Sequence, residues 1–329
     1  MVSRVFVAHV NAYLPCNADL MPIVECILGK VTDKAAKYIA QTAKRNNNKT
    51  TPSDQALQKH RWVPARLFER NKIAGDSSVY KFELPDGADF LGIGTCQHIE
   101  IGVHMRDRML IRPYTPTKPV LPRESGVQPG DDKHLHDGNG TFELTIKTYY
   151  PTQEQPGGAL SNIIDALPIG EEVEMRGPLG DIIYKGCGTF SIYGKVKTFK
   201  RVSLVLGGTG LTPGFSLIAR VCLTPNDETK LRVIDANKGA DDILLHEDLD
   251  RYEAMSDGRI KITHVLSQPS DDWKGLRGHV DLNTMQEYLF SPDEESLALL
   301  CGPPSMIEKA VVPNLEKLGY VQNTNMFGL

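Results

Sequence analysis

A glycine-rich segment in the second half of the chain has the residue types that bind phosphate groups. Gly207–Gly210 follows an apolar run and precedes Thr212 and Pro213, which open a helical pattern. Glycines let the backbone approach a phosphate or a flat ring, proline suits the first helical turn, and a helix N-terminus favours negative charge. The spacing fits neither the dinucleotide fingerprint nor a P-loop. The segment predicts a nucleotide site, with a glycine turn that binds nothing as the alternative.

A second turn of this kind lies near the C-terminus. Cys301-Gly302-Pro303-Pro304-Ser305-Met306 ends an apolar run and begins another helical pattern. Ligands of a doubly wound sheet bind outside the carboxyl ends of its strands, so we expect this turn and Gly207–Gly210 to face one crevice. Cys301 is either a small buried apolar residue or a thiol beside that crevice, and both roles stay open at this point.

Two further motifs lie in the first half of the chain. Arg112-Pro113-Tyr114-Thr115 ends a predicted strand and combines a forked cation for pyrophosphate, a flat ring and a hydroxyl. Gly157–Ser161 opens a helix, after a strand that carries Lys147 and Tyr149, and its free backbone N–H groups would form a second anion site. The alternatives are a solvated strand edge for the first motif and an ordinary helix cap for Ser161.

The elements that must position these motifs follow two patterns. From Trp62, short β-rich runs with Gly, Pro and Asp turns and one helix over Ala159–Leu167 predict a small antiparallel β-barrel. After Arg201, strands and helices alternate, which predicts a doubly wound α/β sheet with parallel strands. The predicted strands are Trp62–Phe68, Ser78–Leu84, His98–Val103, Met109–Tyr114, Thr141–Tyr149, Glu171–Met175, Val202–Leu206, Leu231–Ile234, Ile260–Leu266 and Leu297–Cys301, and the later helices are Pro213–Val221, Asp242–Tyr252, Leu282–Tyr288 and Ser305–Leu318.

This change of pattern predicts the domain organisation of the 329 residues, a length that suits two domains. Residues 1–60 form an N-terminal extension with one helix and a polar linker, and residues 61–183 form the barrel domain. Residues 184–200 form a connecting hairpin, and residues 201–329 form the α/β domain. Lys118–Gly140, rich in Pro, Gly, Asp and His, is predicted to be a surface excursion.

The composition narrows the function classes. The chain is 40% hydrophobic and 24% charged, and its net charge of −4 disfavours a nucleic-acid partner. Its six cysteines form no C-x-x-C pair and have no nearby histidine, so we expect reduced thiols, no metal site and a cytoplasmic location. The apolar runs within Val5–Leu28 are interrupted well short of the ~18–20 residues that a membrane span needs, so no membrane partner is expected.

The order of these motifs resembles that of the ferredoxin-reductase-type flavoproteins, and within them the cytochrome b5 reductase and nitrate reductase branch. The resemblance covers about Trp62 to Leu329. Trp273-Lys274-Gly275 looks like the fungal versions of assimilatory nitrate reductase. Further segments similar to the reductase module of that enzyme are Gly177-Pro178-Leu179-Gly180, Gly186–Phe199, Asp241-Asp242-Ile243-Leu244-Leu245 and Pro313–Tyr320.

The resemblance implies an FAD-dependent oxidoreductase that takes hydride from NADPH or NADH and passes single electrons to a haem acceptor of the cytochrome b5 type. It implies that Arg112 holds the FAD pyrophosphate, that Tyr114 packs on the flavin, and that Thr115 is a catalytic residue near flavin N5. Cys301 is the second implied catalytic residue, in the nicotinamide pocket. The other implied cofactor-binding residues are Pro113, Thr145, Ile146, Lys147, Tyr149, Gly158, Ala159, Leu160, Ser161 and Thr212 around the flavin nucleotide, and Gly207, Gly208, Thr209, Gly210, Ser267, Gly302, Pro303, Pro304, Ser305 and Met306 around the nicotinamide nucleotide.

The sequence departs from the family pattern in three places. Leu160 stands where the flavin motif usually has Met, and Gly75 stands where close relatives have a His. No haem or molybdenum-cofactor motif precedes the barrel, so we do not expect this chain to reduce nitrate alone. The alternatives are a soluble NADH-cytochrome b5 reductase, a relative that uses FMN or an iron–sulfur partner, and a non-catalytic interaction protein without flavin.

The choice between NADH and NADPH depends on one position. Cytochrome b5 reductases have an Asp after the strand that corresponds to Ile260–Leu266, and this chain has Ser267 there. An acidic side chain at this point would accept a hydrogen bond from the ribose 2′-hydroxyl of NADH and would repel the 2′-phosphate of NADPH. With Lys274 and Arg277 shortly after it, Ser267 predicts that NADPH is accepted at least as well as NADH; the alternative is that Ser267 is only a polar turn residue.

Overall fold

The computed structural model describes residues 55–106, 108–122, 135–136, 140–153 and 156–329. The predicted N-terminal helix and linker lie outside these residues, as does most of the Lys118–Gly140 excursion. Packing of the first domain begins before residue 61. The N–H groups of Ala56 and Leu57 donate to the carbonyl groups of residues 90 and 91 at 3.0 Å, and both side chains lie in the core of the domain.

The first domain is a six-stranded antiparallel sheet. Side chains alternate between core and surface, so that Tyr80 and Phe82 of the second strand are buried between more exposed neighbours. The two edges of the sheet are joined by a backbone hydrogen bond. Thr117, just after the edge strand that ends at Tyr114, donates its N–H to the carbonyl oxygen of Glu143 on the opposite edge strand at 2.9 Å. The strands are β1 (Val63–Ala74), β2 (Ser77–Glu83), β3 (His98–Met105), β4 (Arg108–Tyr114), β7 (Thr141–Lys147) and β8 (Glu172–Leu179), in the order β4-β3-β8-β1-β2-β7, with β5 (Leu121–Pro122) and β6 (Leu135–His136) paired separately.

One helix, α1 (Ala159–Ala166), packs against β4 and buries Leu160 and Ile164. A three-stranded antiparallel sheet then follows, made of β9 (Ile182–Gly186), β10 (Thr189–Ile192) and β11 (Lys195–Thr198). Its aromatic residues, among them Tyr184, share one core with the second domain.

The second domain is a parallel six-stranded sheet with helices between its strands, in the order β15-β14-β13-β12-β16-β17. The strand order reverses at β12, which has β13 on one side and β16 on the other, and such a switch point opens a crevice at the carboxyl ends of the strands. The strands are β12 (Arg201–Gly207), β13 (Lys230–Asn237), β14 (Ile260–Leu266), β15 (Leu276–Arg277), β16 (Ser296–Cys301) and β17 (Met326–Gly328), and the helices are α2 (Leu211–Leu223), α3 (His246–Met255), α4 (Leu282–Tyr288), α5 (Pro304–Met306) and α6 (Val312–Leu318).

The predicted fold class is confirmed: an antiparallel sheet domain is followed by a parallel α/β domain. Two helices differ from their prediction by more than two residues or in helix type. The helix predicted to start at Asp242 begins at His246, because Leu245 adopts a left-handed φ of +52° after a 3-10 turn over Ala240–Asp242. The last helix contains a π segment, Ile307–Val311, between α5 and α6. No helix in the described ranges is both long enough and apolar enough to cross a membrane.

Candidate active site

The two turns at the switch point are in direct backbone contact. Gly210 is the N-cap of α2, and a Cβ atom placed on it would lie 2.5 Å from Cys301 O and 2.7 Å from Gly302 N. The structure thus brings the Gly207–Gly210 turn and the turn that begins at Cys301 together, as the topology predicts. Gly208 has a φ of +53° and open space where a Cβ would stand, so this part of the turn faces outward.

The 3-10 turn Gly208–Gly210 that leads into α2 can receive an anion. Within α2 itself, Leu211 N–H already donates to Gly208 O and Thr209 O, Pro213 has no N–H, and the Thr212 hydroxyl donates backwards to Thr209 O at 3.3 Å. The 3-10 turn has no side-chain cap at Gly207, and the first N–H groups of an uncapped helical turn attract negative charge. On the other side of the turn, Met306 and Pro303 approach Gly207 closely enough that a side chain there would overlap both.

Cys301 lies at the end of β16 and is a free, half-buried thiol. Burial raises the pKa of this thiol to about 11, so it is protonated at neutral pH. Because the thiolate is the reactive form of cysteine, Cys301 is suited to shape a pocket and is poorly suited to attack a substrate.

The first domain presents a cation and two aromatic rings at the end of β4. Arg112 is exposed, with one guanidinium N–H bonded to Ile111 O at 2.7 Å. Burial raises the pKa of Tyr114 to about 12, against the opposing effect of the Arg112 charge, and Tyr149 also lies within electrostatic range. Tyr149 is 51% exposed, so its ring is available for contact. Pro113 is exposed and Thr115 is buried just after the strand.

The start of α1 lies beside these rings. Gly158 is its N-cap, and no side chain caps the helix. Ser161 Oγ accepts a hydrogen bond from the N–H of Tyr149 at 3.4 Å and does not cap α1. The alternative that Ser161 is an ordinary helix cap is therefore wrong. Gly158 N–H donates to Tyr149 O at 2.7 Å, which ties the strand end to the helix start and leaves the first-turn N–H groups of α1 for an anion.

On β7, the predicted FAD ligands Thr145 and Ile146 are buried, and the Thr145 hydroxyl bonds that of Thr117 at 3.0 Å. Lys147 binds two carboxylates: Asp76 at 3.1 Å and, more closely, Asp242 of the second domain. The structure therefore places Lys147 between the two domains, a position that its sequence motif does not reveal.

Other bonds also connect the domains close to the switch point. Cys96 N–H donates to Ser216 Oγ at 3.2 Å, and Ser216 lies one turn beyond Thr212 on α2. Farther along the helix, the buried Arg220 donates to Val120 O at 2.9 Å. These bonds hold α2 against the first domain. Sequence reasoning missed the contacts of Ser216, Arg220 and Asp242 with the first domain because their partners are distant along the chain.

Ser267 follows β14, and its N–H donates to Asn237 O at 3.0 Å. The next residue donates to the carbonyl group of Lys238, an exposed cation that the sequence analysis did not single out. Arg277 donates three hydrogen bonds, at 2.9–3.0 Å, to carbonyl groups of the loop between β14 and β15, so it holds that loop in place. Lys274 of the same loop is exposed.

These features fit the two cofactors that the resemblance implies. The uncapped start of α1 and the exposed Arg112 suit a pyrophosphate, and the half-buried Tyr114 ring suits a flavin. The uncapped start of α2 and the open side of Gly208 suit a nucleotide at the switch point.

Comparisons with known proteins agree with this arrangement. The family described as "Oxidoreductase FAD-binding domain" matches residues 64–127 and 132–184, and that described as "Oxidoreductase NAD-binding domain" matches residues 204–311. The NADH nitrate reductase of Lotus japonicus is 37% identical over 261 residues, which are 78% of this chain and 27% of that protein. This chain therefore spans about a quarter of the length of the nitrate reductases that it matches.

Solved structures give the same result. A ferredoxin NADP+ reductase from Neisseria gonorrhoeae, with a TM-score of 0.57, covers 82% of this chain and 99% of its own, and at 11% identity it shows a shared fold alone. The cytochrome b5 reductase domain of Ulva prolifera nitrate reductase has a TM-score of 0.76 and 30% identity, and the match covers 84% of this chain and all of that domain. With FAD- and NAD-binding domains in the same order, the chain belongs to the cytochrome b5 reductase-domain family of NAD(P)H-dependent FAD oxidoreductases.

Proposed function

We propose that this chain takes a hydride from NADPH or NADH onto FAD and delivers single electrons to a haem of the cytochrome b5 type, as the reductase module of a nitrate reductase. One observation carries the proposal: the bonds that join the two domains lie beside Lys147 of the flavin-type residues and beside Thr212 of the nucleotide-type segment. The bond between Cys96 and Ser216 and the contact between Lys147 and Asp242 hold the uncapped start of α2 against the first domain. Hydride transfer requires this proximity of two cofactor sites.

The chain's own residues supply binding and orientation. When bound, FAD accepts the hydride and releases electrons one at a time. Arg112 and the first turn of α1 bind the pyrophosphate, and Tyr114 packs against the flavin ring. The buried Thr115 places its hydroxyl beside that ring.

The second domain positions the nicotinamide nucleotide. The backbone N–H groups of the 3-10 turn Gly208–Gly210, which leads into α2, bind phosphate, and Thr212 contacts the flavin from this side. Cys301, as a neutral thiol, shapes the nicotinamide pocket and excludes water. No residue has to act as a general base or a nucleophile in this scheme, since the transferred hydride carries both electrons.

The test follows electrons through the purified, FAD-loaded chain. Anaerobic NADPH or NADH should bleach the oxidised-flavin absorbance, and a separate cytochrome b5 should then be reduced at two haems per nicotinamide, because a hydride carries two electrons. If the flavin is bleached but cytochrome b5 is not reduced, the proposed haem acceptor is wrong. If the chain does not bind FAD, the result favours a non-catalytic interaction protein. Nitrate with the chain alone should give no nitrite.

We also infer the domain division at residues 61–183, 184–200 and 201–329, and a cytoplasmic location. The matches to the two families, which end at residue 184 and start at residue 204, support the division. The free thiols of Cys96, Cys187, Cys222 and Cys301 support a reducing compartment.

A further inference from the structure

Three metal-ligating side chains meet on the second domain, and the proposed hydride transfer uses none of them. His246 and Asp250 lie on α3, and His264 lies on β14. One ligand atom of each lies within 4.8 Å of the other two. His246 Nε2 is 3.8 Å from Asp250 Oδ1, and the two imidazole rings meet edge to face with their centroids 4.9 Å apart.

Secondary structure brings these side chains together. Residues four apart on a helix share one face, so His246 and Asp250 project in the same direction from α3. This helix packs on β14, where His264 is half-buried. His246 and Asp250 are open to solvent, with side-chain exposures of 41% and 69%. A metal ion could therefore enter and leave without any opening of the core.

A buried carboxylate supports His264 from behind. Asp235 of β13 is the direct partner of His264 in the parallel ladder, and its Oδ2 lies 3.0 Å from His264 Nδ1. This bond leaves His264 Nε2 for another ligand. Metal-ligating histidines usually bond a carboxylate through their second nitrogen in this way, which fixes the ring and raises its basicity.

The same carboxylate has an incomplete set of hydrogen bonds. Asp235 is completely buried. Its Oδ2 also accepts a hydrogen bond from Asn237 at 2.8 Å, but its Oδ1 receives none from the described residues. A buried negative charge with an incomplete hydrogen-bond set favours a cation nearby. This observation is independent of the cluster of His246, Asp250 and His264.

We propose that His246, Asp250 and His264 bind a divalent transition metal ion of the zinc class, with Asp235 as the positioning residue. Two imidazoles and one carboxylate suit zinc and its neighbours better than magnesium or calcium, which prefer oxygen ligands alone. Three protein ligands leave a fourth position for water. Because the ligands come from α3 and β14, the bound ion would fasten the helix to the sheet.

The first test is a calorimetric titration of the untagged, FAD-loaded chain with Zn²⁺ alone. We expect one equivalent to bind, and EDTA to remove it. Loss of one of three ligands in His246→Gln or Asp250→Asn should weaken binding at least tenfold, as should His264→Gln. The matched control is His279→Gln, because His279 is an exposed histidine of the same domain outside the cluster. Cys187→Ser is a second control, because Cys187 is the exposed thiol among the described free cysteines.

The second test addresses Asp235 without touching a ligand. Asp235→Asn keeps the shape of the side chain and removes its charge, and should weaken zinc binding by about 10- to 100-fold, as loss of such a supporting carboxylate typically does. Zinc should also raise the melting temperature of the wild-type chain but not that of His246→Gln. Absence of binding at millimolar zinc, or equal affinity in the wild type, His246→Gln and Asp250→Asn, would overturn the proposal.

Discussion

Arg112 places a full positive charge within electrostatic range of Tyr114, on the strand against which α1 packs. Removing it in Arg112→Ala should weaken FAD binding by about 10- to 100-fold, since a charge-assisted hydrogen bond contributes about 1.5–3 kcal/mol. The measurement is the dissociation constant of FAD after titration of the flavin-free chain. The control is Arg108→Ala, an exposed arginine at the other end of β4. Equal flavin affinity in Arg112→Ala and wild type would contradict the assignment.

Ser267 lies where the choice between NADH and NADPH is made in this proposal. Its N–H bonds Asn237 O, and the exposed Lys238 and Lys274 are the neighbouring cations. We expect the wild type to accept NADPH at least as well as NADH, and Ser267→Asp to raise the Michaelis constant for NADPH by repelling the 2′-phosphate. Steady-state ferricyanide reduction with each nucleotide measures this.

The control for Ser267 is Ser270→Asp, which adds the same charge three residues later in an exposed position. A shift in Ser267→Asp but not in Ser270→Asp identifies the position as the determinant. A strong wild-type preference for NADH would show that Ser267 is only a polar turn residue.

Single residues were predictable from the sequence where the motif itself is local. Arg112 and Tyr114 are two positions apart at one strand end, where the Arg112 charge acts on Tyr114, and Gly158 lies at the helix start that the glycine pair predicts. Asp242 belonged to a recognised motif, but its bond to Lys147 joins residues 95 positions apart, and a single sequence carries no local signal for such a pair.

At the scale of elements, the start of α2 depends on one close approach. Gly210 has a helical φ of −65°, so alanine would suit its backbone; only space excludes a side chain. Gly210→Ala would press a methyl group against the Cys301 and Gly302 backbone, and we expect a loss of stability at the upper end of the about 1–3 kcal/mol range for overpacking, with weaker nicotinamide binding. Thermal unfolding and NADPH titration measure the two effects.

Gly208→Ala is the matched control for Gly210→Ala. Gly208 has a left-handed φ but open space around its Cβ position, so its replacement should cost only about 1 kcal/mol through backbone conformation. The reverse order of the two losses would mean that the turns at Gly210 and Cys301 can move apart.

The elements that the sequence predicted have a strong periodic pattern. Ile260–Leu266 and Leu282–Tyr288 have the predicted bounds, because each is a short apolar or amphipathic run bounded by polar residues. Strands β15 and β17 have two and three residues, too few for a period to show. The π segment ends next to Pro313, which has no N–H to donate to an α-helical ladder, and Val312 N–H donates to Ile307 O, five residues back.

At the scale of the whole molecule, Lys147 and Asp242 connect the two domains. Burial acts to raise the pKa of Asp242, but hydrogen bonds from Lys147 and the Gly239 N–H outweigh it and hold this pKa below its ordinary value. Burial acts to lower the pKa of Lys147, and the hydrogen bonds to Asp242 and Asp76 raise it overall. Both shifts favour the charged pair in the folded protein.

Asp242→Asn should therefore destabilise the chain by about 1.5–3 kcal/mol at neutral pH, the usual loss for a hydrogen bond between charged groups. A carboxyl group whose pKa is lowered by folding stabilises the protein at pH values above its unfolded-state pKa, and a lysine whose pKa is raised stabilises it below its unfolded-state pKa. The loss of stability in Asp242→Asn should therefore stay constant from about pH 5 to about pH 9. It should shrink in acid as Asp242 protonates. Denaturation midpoints across this range measure it, with Asp241→Asn as the exposed neighbouring control; a loss that titrates near neutral pH would contradict the assignment.

The three-stranded sheet β9–β11 determines where two related reductase sequences can be joined to make a hybrid protein. Tyr184 Oη donates to Asp227 Oδ2 at 2.6 Å, and Asp227 also accepts the N–H of Cys187, so this sheet shares a buried polar network with the second domain. A crossover inside the sheet would combine halves of that network from two lineages. A crossover just before Ile182 inherits it whole. The bonds that then have to re-form across the junction include the backbone bond between Tyr184 N–H and Thr95 O and the side-chain bonds that join Cys96 to Ser216, Arg220 to Val120 and Lys147 to Asp242.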